Sequence, residues 1–588
     1  MCGIAGFISF DGARNKNWLQ EIISRMLDTM QTRGPDDSGT YLSTDGCFAL
    51  GHTRLSIIDL STQGKQPMTT MDKSSVISFN GELFNHAHYK KKLNEFSFRS
   101  STDTEILLYL LHKSTNRTCT LQDLNAMFAF AFYDSTKNEL LLARDHFGIK
   151  PLYYAFTDGG LIFASSPNAI FASGIIKPEF SADLFFHKAL TRMESEDQHS
   201  WFANIAKLEA GHYLLANLTG IKEHKSYWQP TIADSTTQDT QLLATFKNAV
   251  SARSISDVPR AAFLSGGIDS SAIVSAYVDL GIAIKPYIIE YQGNNIKQNE
   301  DVAYAQQFAQ WKGITPHLTQ VTTCSIEVAM HEIVKACHRP FLHGAEFGMY
   351  SSYKMLAQQQ YKVCYSGHGA DEMWGYQDGI YFPILAKSFT PEMHSEYYLT
   401  KHYYQNNKPG WHDFLINNFK NTLNVNIPTV ENLIWDVTFA DYRTLNTIDP
   451  VKKARYHLMR RFMNYVNNMV DGISMRFSIE DRPVYQDIHL AELSFSVPET
   501  IKNHQGLTDF KPFFKKALQP LLPDNIIYRK KVGFQPPGDD IYKTACLNLI
   551  KDYGLPFGLS INHQALAKME FTQLLFMLTT KIWTNTYF

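Results

Sequence analysis

The chain has 588 residues, 44% hydrophobic and 19% charged, a balance ordinary for a folded globular protein and too apolar for disorder. With 55 Lys and Arg against 57 Asp and Glu, the formal charge of −2 leaves no overall basic field to hold nucleic acid or an anionic membrane. Seven cysteines (Cys2, Cys47, Cys119, Cys324, Cys337, Cys364, Cys546) are scattered, odd in number and lack a C-x-x-C pair, which argues against a disulfide scaffold and a structural zinc site. At roughly 150 residues per domain the length allows about four domains, and two large ones are expected. The opening MCGIAGFISFDGARNKN lacks the basic-then-apolar order of a secretory leader, and no run approaches about 18 apolar residues. The expectation is a cytoplasmic protein without a membrane span, of a size that favours an enzyme.

In chain order, the first 225 residues or so read as strands with intervening helices. AMFAFAFYD (126–134) alternates large and small residues around a buried face; ELLLARD (139–145), DGGLIFASS (158–166) and GHYLLANL (211–218) are further short strands. TDTEILLYLLHK (102–113) reads as a helix with Ile106, Leu107, Leu110 and Leu111 on one face. PTIADSTTQDT (230–240) is polar, without an apolar period, and reads as a linker. Beyond it, strand-like RAAFL, KPYIIEY and YKVCYSG alternate with helical SSAIVSAYVDLG, EDVAYAQQFAQWKG and EFGMYSSYKMLAQQQ, the pattern of a parallel sheet with helices on both faces. From about residue 380 the chain reads as aromatic-rich and mainly helical.

Cys2 follows a Met whose removal its small side chain permits. A thiol of pKa about 8.5 and an α-amine of about 8 then share one residue, nucleophile beside base. RGPDDSG (33–39), GHTRLSIIDL (51–60), NGELFN (80–85) and STDTE (101–105) supply what such a nucleophile needs. Arg54 offers a planar fork for a carboxylate, Asp103 an anion for an α-ammonium, and Asn80 with the Gly81 backbone N–H an oxyanion hole. Together with RDHFGIKPLYY (144–154), these motifs resemble the glutaminase domain of class II glutamine amidotransferases. The resemblance implies a four-layer αββα fold and a Cys2 that attacks the glutamine amide, forms a thioester and releases ammonia. It also implies that Arg54, Glu82 and Asp103 hold the amino-acid end of glutamine while Asn80 and Gly81 bind the oxyanion.

FLSGGIDSSAIV (263–274) runs from a strand through two glycines into a helix, an anion cradle that lacks the Lys of a P-loop. S-G-G-x-D-S resembles the pyrophosphate loop of enzymes that cleave ATP between the α- and β-phosphates. YSGHGADEMWGY (365–376) repeats the strand and glycine turn and adds Asp371 and Glu372, whose carboxylates suit Mg²⁺. Near the end, YRKKVGF (528–534) carries Arg529, Lys530 and Lys531. Taken together the chain is similar to the asparagine synthetase family. That likeness implies two domains, α+β and α/β: a glutaminase of N-terminal-nucleophile type (1–225), a linker (226–241), and a parallel-sheet ATP pyrophosphatase domain with a helical C-terminal part (242–588). Implied for ATP and pyrophosphate are Leu264, Ser265, Gly266, Gly267, Asp269, Ser270, Ser366 and Gly367; for Mg²⁺, Asp269 and Asp371; and as catalytic lysine, Lys531. Glu300 and Asp301 match an acidic pair that precedes a helix in the family. The implied partners are glutamine, ATP and a carboxylate acceptor, and a homodimer is compatible with them.

Four departures from the family pattern stand out. His368 replaces the Glu of S-G-E-G and is carried as a catalytic candidate. His338-Arg339-Pro340 replaces D-E-P, Ser166 replaces the Glu of F-A-S-E, and E-D-R-P-V-Y-Q-D keeps Glu480, Arg482 and Asp487 but moves the proline to Pro483. These positions are expected mainly where the acceptor is read. A neutral imidazole accepts a proton near pH 7 but removes a fixed negative charge. The acceptor is therefore L-aspartate by default, or another carboxylate such as a sugar acid or natural-product intermediate. His331, His338, His343 and His368 lack the spacing of a zinc site. A catalytically silent interaction protein would have eroded these motifs, which are present.

Overall fold

The computed structural model describes residues 2–191, 198–232, 239–291, 296–321, 325–375, 410–433, 450–498, 511–530 and 539–588. The first half contains β1 (Gly3–Ser9), β2 (Asp37–Leu42), β3 (Phe48–Arg54), β4 (Met68–Thr69), β5 (Ser75–Leu83), β6 (Ala126–Asp134), β7 (Glu139–Arg144), β8 (Tyr153–Thr157), β9 (Gly160–Ala164), β10 (Ala206–Lys207), β11 (His212–Asn217) and β12 (Gly220–Ser226). They form two antiparallel six-stranded sheets, ordered β10-β8-β9-β1-β3-β2 and β12-β11-β7-β6-β5-β4.

The sequence of β6 explains how these sheets stack. Phe128, Phe130 and Phe132 point to the core shared with helix α2 (Asp103–Lys113). Ala129, Ala131 and Tyr133 point the other way, to Ile4, Ile8, Phe48 and Leu50 of the facing sheet, and Phe48 stacks on Tyr133 at 4.1 Å. The period of two thus buries both faces of β6, not the single face its alternation suggests. Helix α1 (Lys16–Asp28) covers the outer face of the first sheet, completing four layers. Helix α2 is buried beyond its expected stripe: Leu108 and Tyr109 are covered too, because Phe96 and Phe98 pack on Tyr109, while Leu110 is half-buried.

The second half is built on a parallel sheet of β13 (Arg260–Phe263), β14 (Lys285–Tyr291), β15 (His317–Val321), β16 (Val363–Ser366) and β17 (Glu480–Pro483), ordered β15-β14-β13-β16-β17. The chain runs outward from β13 on one side and from β16 on the other. Their carboxyl ends therefore meet at a topological switch point, where open α/β sheets bind ligands. Helix α3 (Ile268–Asp279) follows β13, and α4 (Ile296–Lys312) follows β14. Glu300 and Asp301 lie inside α4 rather than ahead of a helix, because the helix already begins at Ile296. The described C-terminal part is mainly helical, as expected, and adds one strand, β17: E-D-R-P has no apolar period, yet it pairs with β16 from Val363↔Glu480 to Ser366↔Pro483. The polar run Pro230–Thr240 is described only at its ends, and the helix Asp239–Arg253 starts within it. Among the described residues no helix is long and apolar enough to cross a membrane.

Candidate active site

Cys2 precedes β1 and is held from two sides. Its backbone N–H donates to Asn80 Oδ1 at 2.9 Å, and its carbonyl accepts from Arg33 Nε at 3.1 Å. Asn80 Nδ2 is buried and makes no hydrogen bond, so the side chain that accepts from the Cys2 N–H also carries an unused donor. A pocket of about 390 Å³ opens there, lined by Cys2, Arg54, Gly81, Glu82, Asp103 and Glu480 among others. Burial pushes the Cys2 thiol up, against the opposing pull of the N-terminal amine and a hydrogen bond from the Leu55 N–H. The thiol is therefore protonated at rest and needs a base to become a nucleophile.

Local chemistry explains how each side chain arrives. Arg54 ends β3 and donates to the carbonyls of Ser61 (2.9 Å) and Ile58 (3.3 Å), so the loop after β3 wraps its guanidinium. Gly64 is required there, because a Cβ would lie 2.0 Å from Arg54 Nη2. Asp103 opens α2 behind the Thr102 N-cap and accepts from Leu83 N–H at 2.7 Å. Gly81 is pressed onto β6, where a Cβ would lie 2.1 Å from the Met127 carbonyl. Glu82 Oε2 accepts from Arg482 Nη2 at 2.8 Å, while its Oε1 is buried without a hydrogen bond. Burial, then the Asp103 and Glu480 charges, raise Glu82 well above the usual carboxylate range.

The second cluster lies at the switch point. Ser265 N–H and Oγ both contact Ser270 Oγ (3.1 and 2.9 Å), closing the loop between β13 and α3. Gly266 has φ +70, and a Cβ there would lie 2.5 Å from Ala305 N, so glycine is needed for both reasons. Leu264 is buried, and Gly267 caps α3. Gly367, following β16, sits against this loop, with its Cβ position 3.2 Å from the Asp269 Cβ. Asp269 and Asp371 converge on one cation, the Nζ of Lys511, at 2.8 and 2.5 Å. Sequence reasoning passed over Lys511, whose neighbours FKPFFKK read as an ordinary amphipathic start to the helix Pro512–Leu518. Two hard oxygen donors meeting at one positively charged point are a donor set that suits Mg²⁺. Asp301 instead pairs with Arg529, Glu300 is exposed, and Lys531 lies outside the described residues.

Between the clusters lies a small, half-open chamber, lined by Ile149, Lys150, His368, Asn467, Asp471, Asp481 and Pro483 among others. His368 Nδ1 lies 2.8 Å from Ser366 Oγ, which donates to Asp481 Oδ1 at 2.5 Å; His368 Nε2 is 3.8 Å from that oxygen. Tyr353 OH donates to Asp481 Oδ2 at 2.8 Å. Ser366, expected at ATP, thus turns to Asp481 and His368, while its neighbour Gly367 meets the pyrophosphate loop. Burial, joined by Lys150, holds the His368 imidazole below its ordinary pKa. Lys150 reaches the chamber because RDHFGIK is a folded hook: the Asp145 carboxylate accepts from the N–H groups of Phe128, Phe147, Ile149 and Lys150.

The other departures from the family pattern lie outside the chamber lining, Pro483 excepted. His338 Nε2 lies 3.1 Å from Ser166 Oγ, so two substitutions far apart in sequence form a single contact between the halves. Neither lines the chamber. Glu480 and Arg482 belong to the Cys2 pocket and its wall, and Asp487 accepts from Arg253 (2.6 Å) and Asn125 (2.8 Å). Of these positions His368 and Pro483 face the chamber, while Ser166 with His338, Arg482 with Glu82 and Asp487 with Asn125 are contacts that join the two halves.

Residues 241–569, more than half of the chain, match the asparagine synthase family, and residues 1–228 match the glutamine amidotransferase domain. The chain belongs to the asparagine synthase family. One relative, asparagine synthetase (glutamine-hydrolyzing) 3 of Bacillus subtilis (strain 168), is 29% identical over 557 residues, 90% of this chain and 86% of that protein. A putative asparagine synthetase (glutamine-hydrolyzing) 2 of Methanocaldococcus jannaschii is 30% identical over 406 residues, covering 64% of this chain and 75% of its own length. The amidase chyE of Penicillium rubens is 26% identical over 610 residues, covering 91% and 89%. The asparagine synthase-family chain is thus an ATP-dependent, glutamine-hydrolysing ligase that makes amides.

Proposed function

We propose that this ligase amidates L-aspartate to L-asparagine by two linked reactions. At the first site the Cys2 thiol gives its proton to the residue's own α-amine, freed by removal of Met1, and attacks the glutamine amide carbon. Asn80 Nδ2 and the Gly81 N–H take the oxyanion, Arg54 the substrate carboxylate, and Asp103 and Glu82 the α-ammonium. Collapse of the tetrahedral intermediate breaks the C–N bond, leaving a thioester that water later hydrolyses and releasing ammonia. At the second site the acceptor carboxylate attacks the α-phosphorus of ATP, and pyrophosphate departs into the loop Leu264–Ser270 with Gly367. Asp269 and Asp371 would hold Mg²⁺, which would supply charge neutralisation on the phosphates. Lys531 is assigned to the charge that builds as AMP leaves. His368, neutral by burial and oriented by Ser366, takes a proton from the attacking ammonia as the new C–N bond forms and AMP is expelled.

The observation that supports this reading is the shared strand β17, whose Glu480 lines the Cys2 pocket while its Asp481 and Pro483 wall the chamber with His368. The test is to incubate the purified protein with Mg-ATP, glutamine and L-aspartate. Asparagine and pyrophosphate formed in equal amounts support it. Glutamine hydrolysis without aspartate-dependent pyrophosphate refutes aspartate. A second reading, the same mechanism on another carboxylate, is favoured by His368: an imidazole in the chamber cannot supply the fixed negative charge that an amino-acid acceptor's ammonium would meet.

A further inference from the structure

Strand β17 is a wall shared by two sites. Side chains on a strand alternate between faces. Glu480 faces the Cys2 pocket and Arg482 the Glu82 carboxylate on the same side, whereas Asp481 and Pro483 line the chamber with His368. Arg482 is shared: its Nε donates to Glu480 Oε1 at 2.5 Å and its Nη2 to Glu82 Oε2 at 2.8 Å, and all three groups are buried. Its Nη1 also donates to the carbonyl of Arg253 at 2.8 Å. The pocket wall therefore carries Glu82, Asp103 and Glu480; burial raises the first two, while against it Arg482, the N-terminal amine and Lys150 hold Glu480 below the usual carboxylate range, so that Glu480 supplies a lasting negative charge to the wall. A buried excess of charge is costly unless a cation meets it. Glu82 Oε1 is buried on the same wall without a hydrogen bond.

We propose that Glu480, carried by the synthetase half, is part of the glutamine-binding site, so that the substrate α-ammonium is held jointly by Asp103 and Glu82 of one half and Glu480 of the other. The proposal rests on the reading that Cys2 hydrolyses glutamine. It makes the glutamine site incomplete without β17, and β17 is hydrogen-bonded to β16, which ends at the nucleotide cluster. A carboxylate needed only to hold Arg482 would have no reason to line the pocket, since Arg482 is already engaged by Glu82 and backbone carbonyls.

The test uses the full chain and two substrates: glutamine, and 4-carbamoylbutyrate, the same amide without the α-ammonium. Wild type is expected to prefer glutamine strongly in kcat/KM. Glu480→Gln should raise KM for glutamine about tenfold, change kcat far less, and leave 4-carbamoylbutyrate almost unaffected, so that the preference narrows; Glu480→Asp should restore most of it. A purely structural role would lower kcat on both substrates alike, and an unchanged preference in Glu480→Gln overturns the proposal. Should Glu480→Gln fail to fold, Asp103→Asn decides: a residual preference for glutamine supports the contribution from Glu480 and Glu82, and complete loss overturns it. Wild type that hydrolyses neither amide removes the underlying reading, an outcome separate from hydrolysis with unaltered discrimination.

Discussion

Asn80 carries two loads that a pair of substitutions separates. Its Oδ1 accepts from the Cys2 N–H at 2.9 Å, the bond that aims the α-amine once Met1 is gone, and its Nδ2 is a buried donor without a partner. In the mechanism proposed above, that donor meets the oxyanion only in the tetrahedral intermediate. Loss of such a donor costs about 10²–10³ in kcat, or about 2.7–4 kcal/mol. Because the donor acts on charge present only in the transition state, KM for glutamine should hardly move. Asn80→Asp keeps an acceptor for Cys2 but puts an anion where the oxyanion forms, and should lose at least as much as Asn80→Ala. The assay is glutamate release from glutamine at saturation, beside amide synthesis from ammonium chloride, which bypasses Cys2 and should persist in both variants. A loss smaller than about tenfold in Asn80→Ala, or a parallel fall in ammonium-dependent synthesis, would refute the assignment.

The remaining predictions concern the other clusters. Cys2→Ala should abolish glutaminase and keep synthesis from ammonium; loss of both would show that the two reactions are not divided as described. Asp269→Asn should stop pyrophosphate release and spare basal glutaminase, measured with glutamine alone. Lys511→Met removes the cation between Asp269 and Asp371, so Mn²⁺ binding without nucleotide, followed by electron paramagnetic resonance, should tighten while pyrophosphate formation falls; unchanged Mn²⁺ affinity would contradict the geometry. Burial, with Arg33 nearby, lowers the His338 pKa to about 3. The unfolded imidazole takes up a proton below about pH 6.5 and the folded one does not, so this group's contribution to stability is full above that value and is lost as pH falls. At pH 5 the loss is about 2 kcal/mol, and the stability of wild type relative to His338→Gln should drop by that amount between pH 7.5 and 5 in denaturant titrations.

The parts legible in the sequence were those in which function and local structure share a short segment. Cys2 with NGELFN, the S-G-G-x-D-S loop and the alternating strands all name themselves, because each is a single turn or a single period. Lys511 did not: nothing in K-P-F-F-K-K distinguishes a lysine that reaches two aspartates from a solvated one. β17 escaped because strand periodicity is read from apolar residues, and E-D-R-P stays buried by pairing charges instead. Glu480 and Arg482 were expected at the acceptor, and alternation turns them toward the Cys2 pocket while Asp481 and Pro483 line the chamber. The His338–Ser166 contact spans 172 positions, a separation at which two substitutions look independent.

Buried ion pairs join the halves at the points where chemistry is to be coordinated. Arg33, which holds the Cys2 carbonyl, also donates to Asp471 at 2.8 Å, and Asp471 lines the chamber 3.9 Å from Lys150. Arg482 similarly binds one carboxylate from each half. Such pairs are poor sources of stability, since desolvation consumes much of the Coulomb gain, but breaking one partner costs about 3–5 kcal/mol. Their value here lies in geometry. A guanidinium fork fixes both distance and plane, so the nucleophile's backbone and the chamber wall are held in one frame, and a shift of the synthetase half by even an ångström must disturb either Arg33 or Arg482.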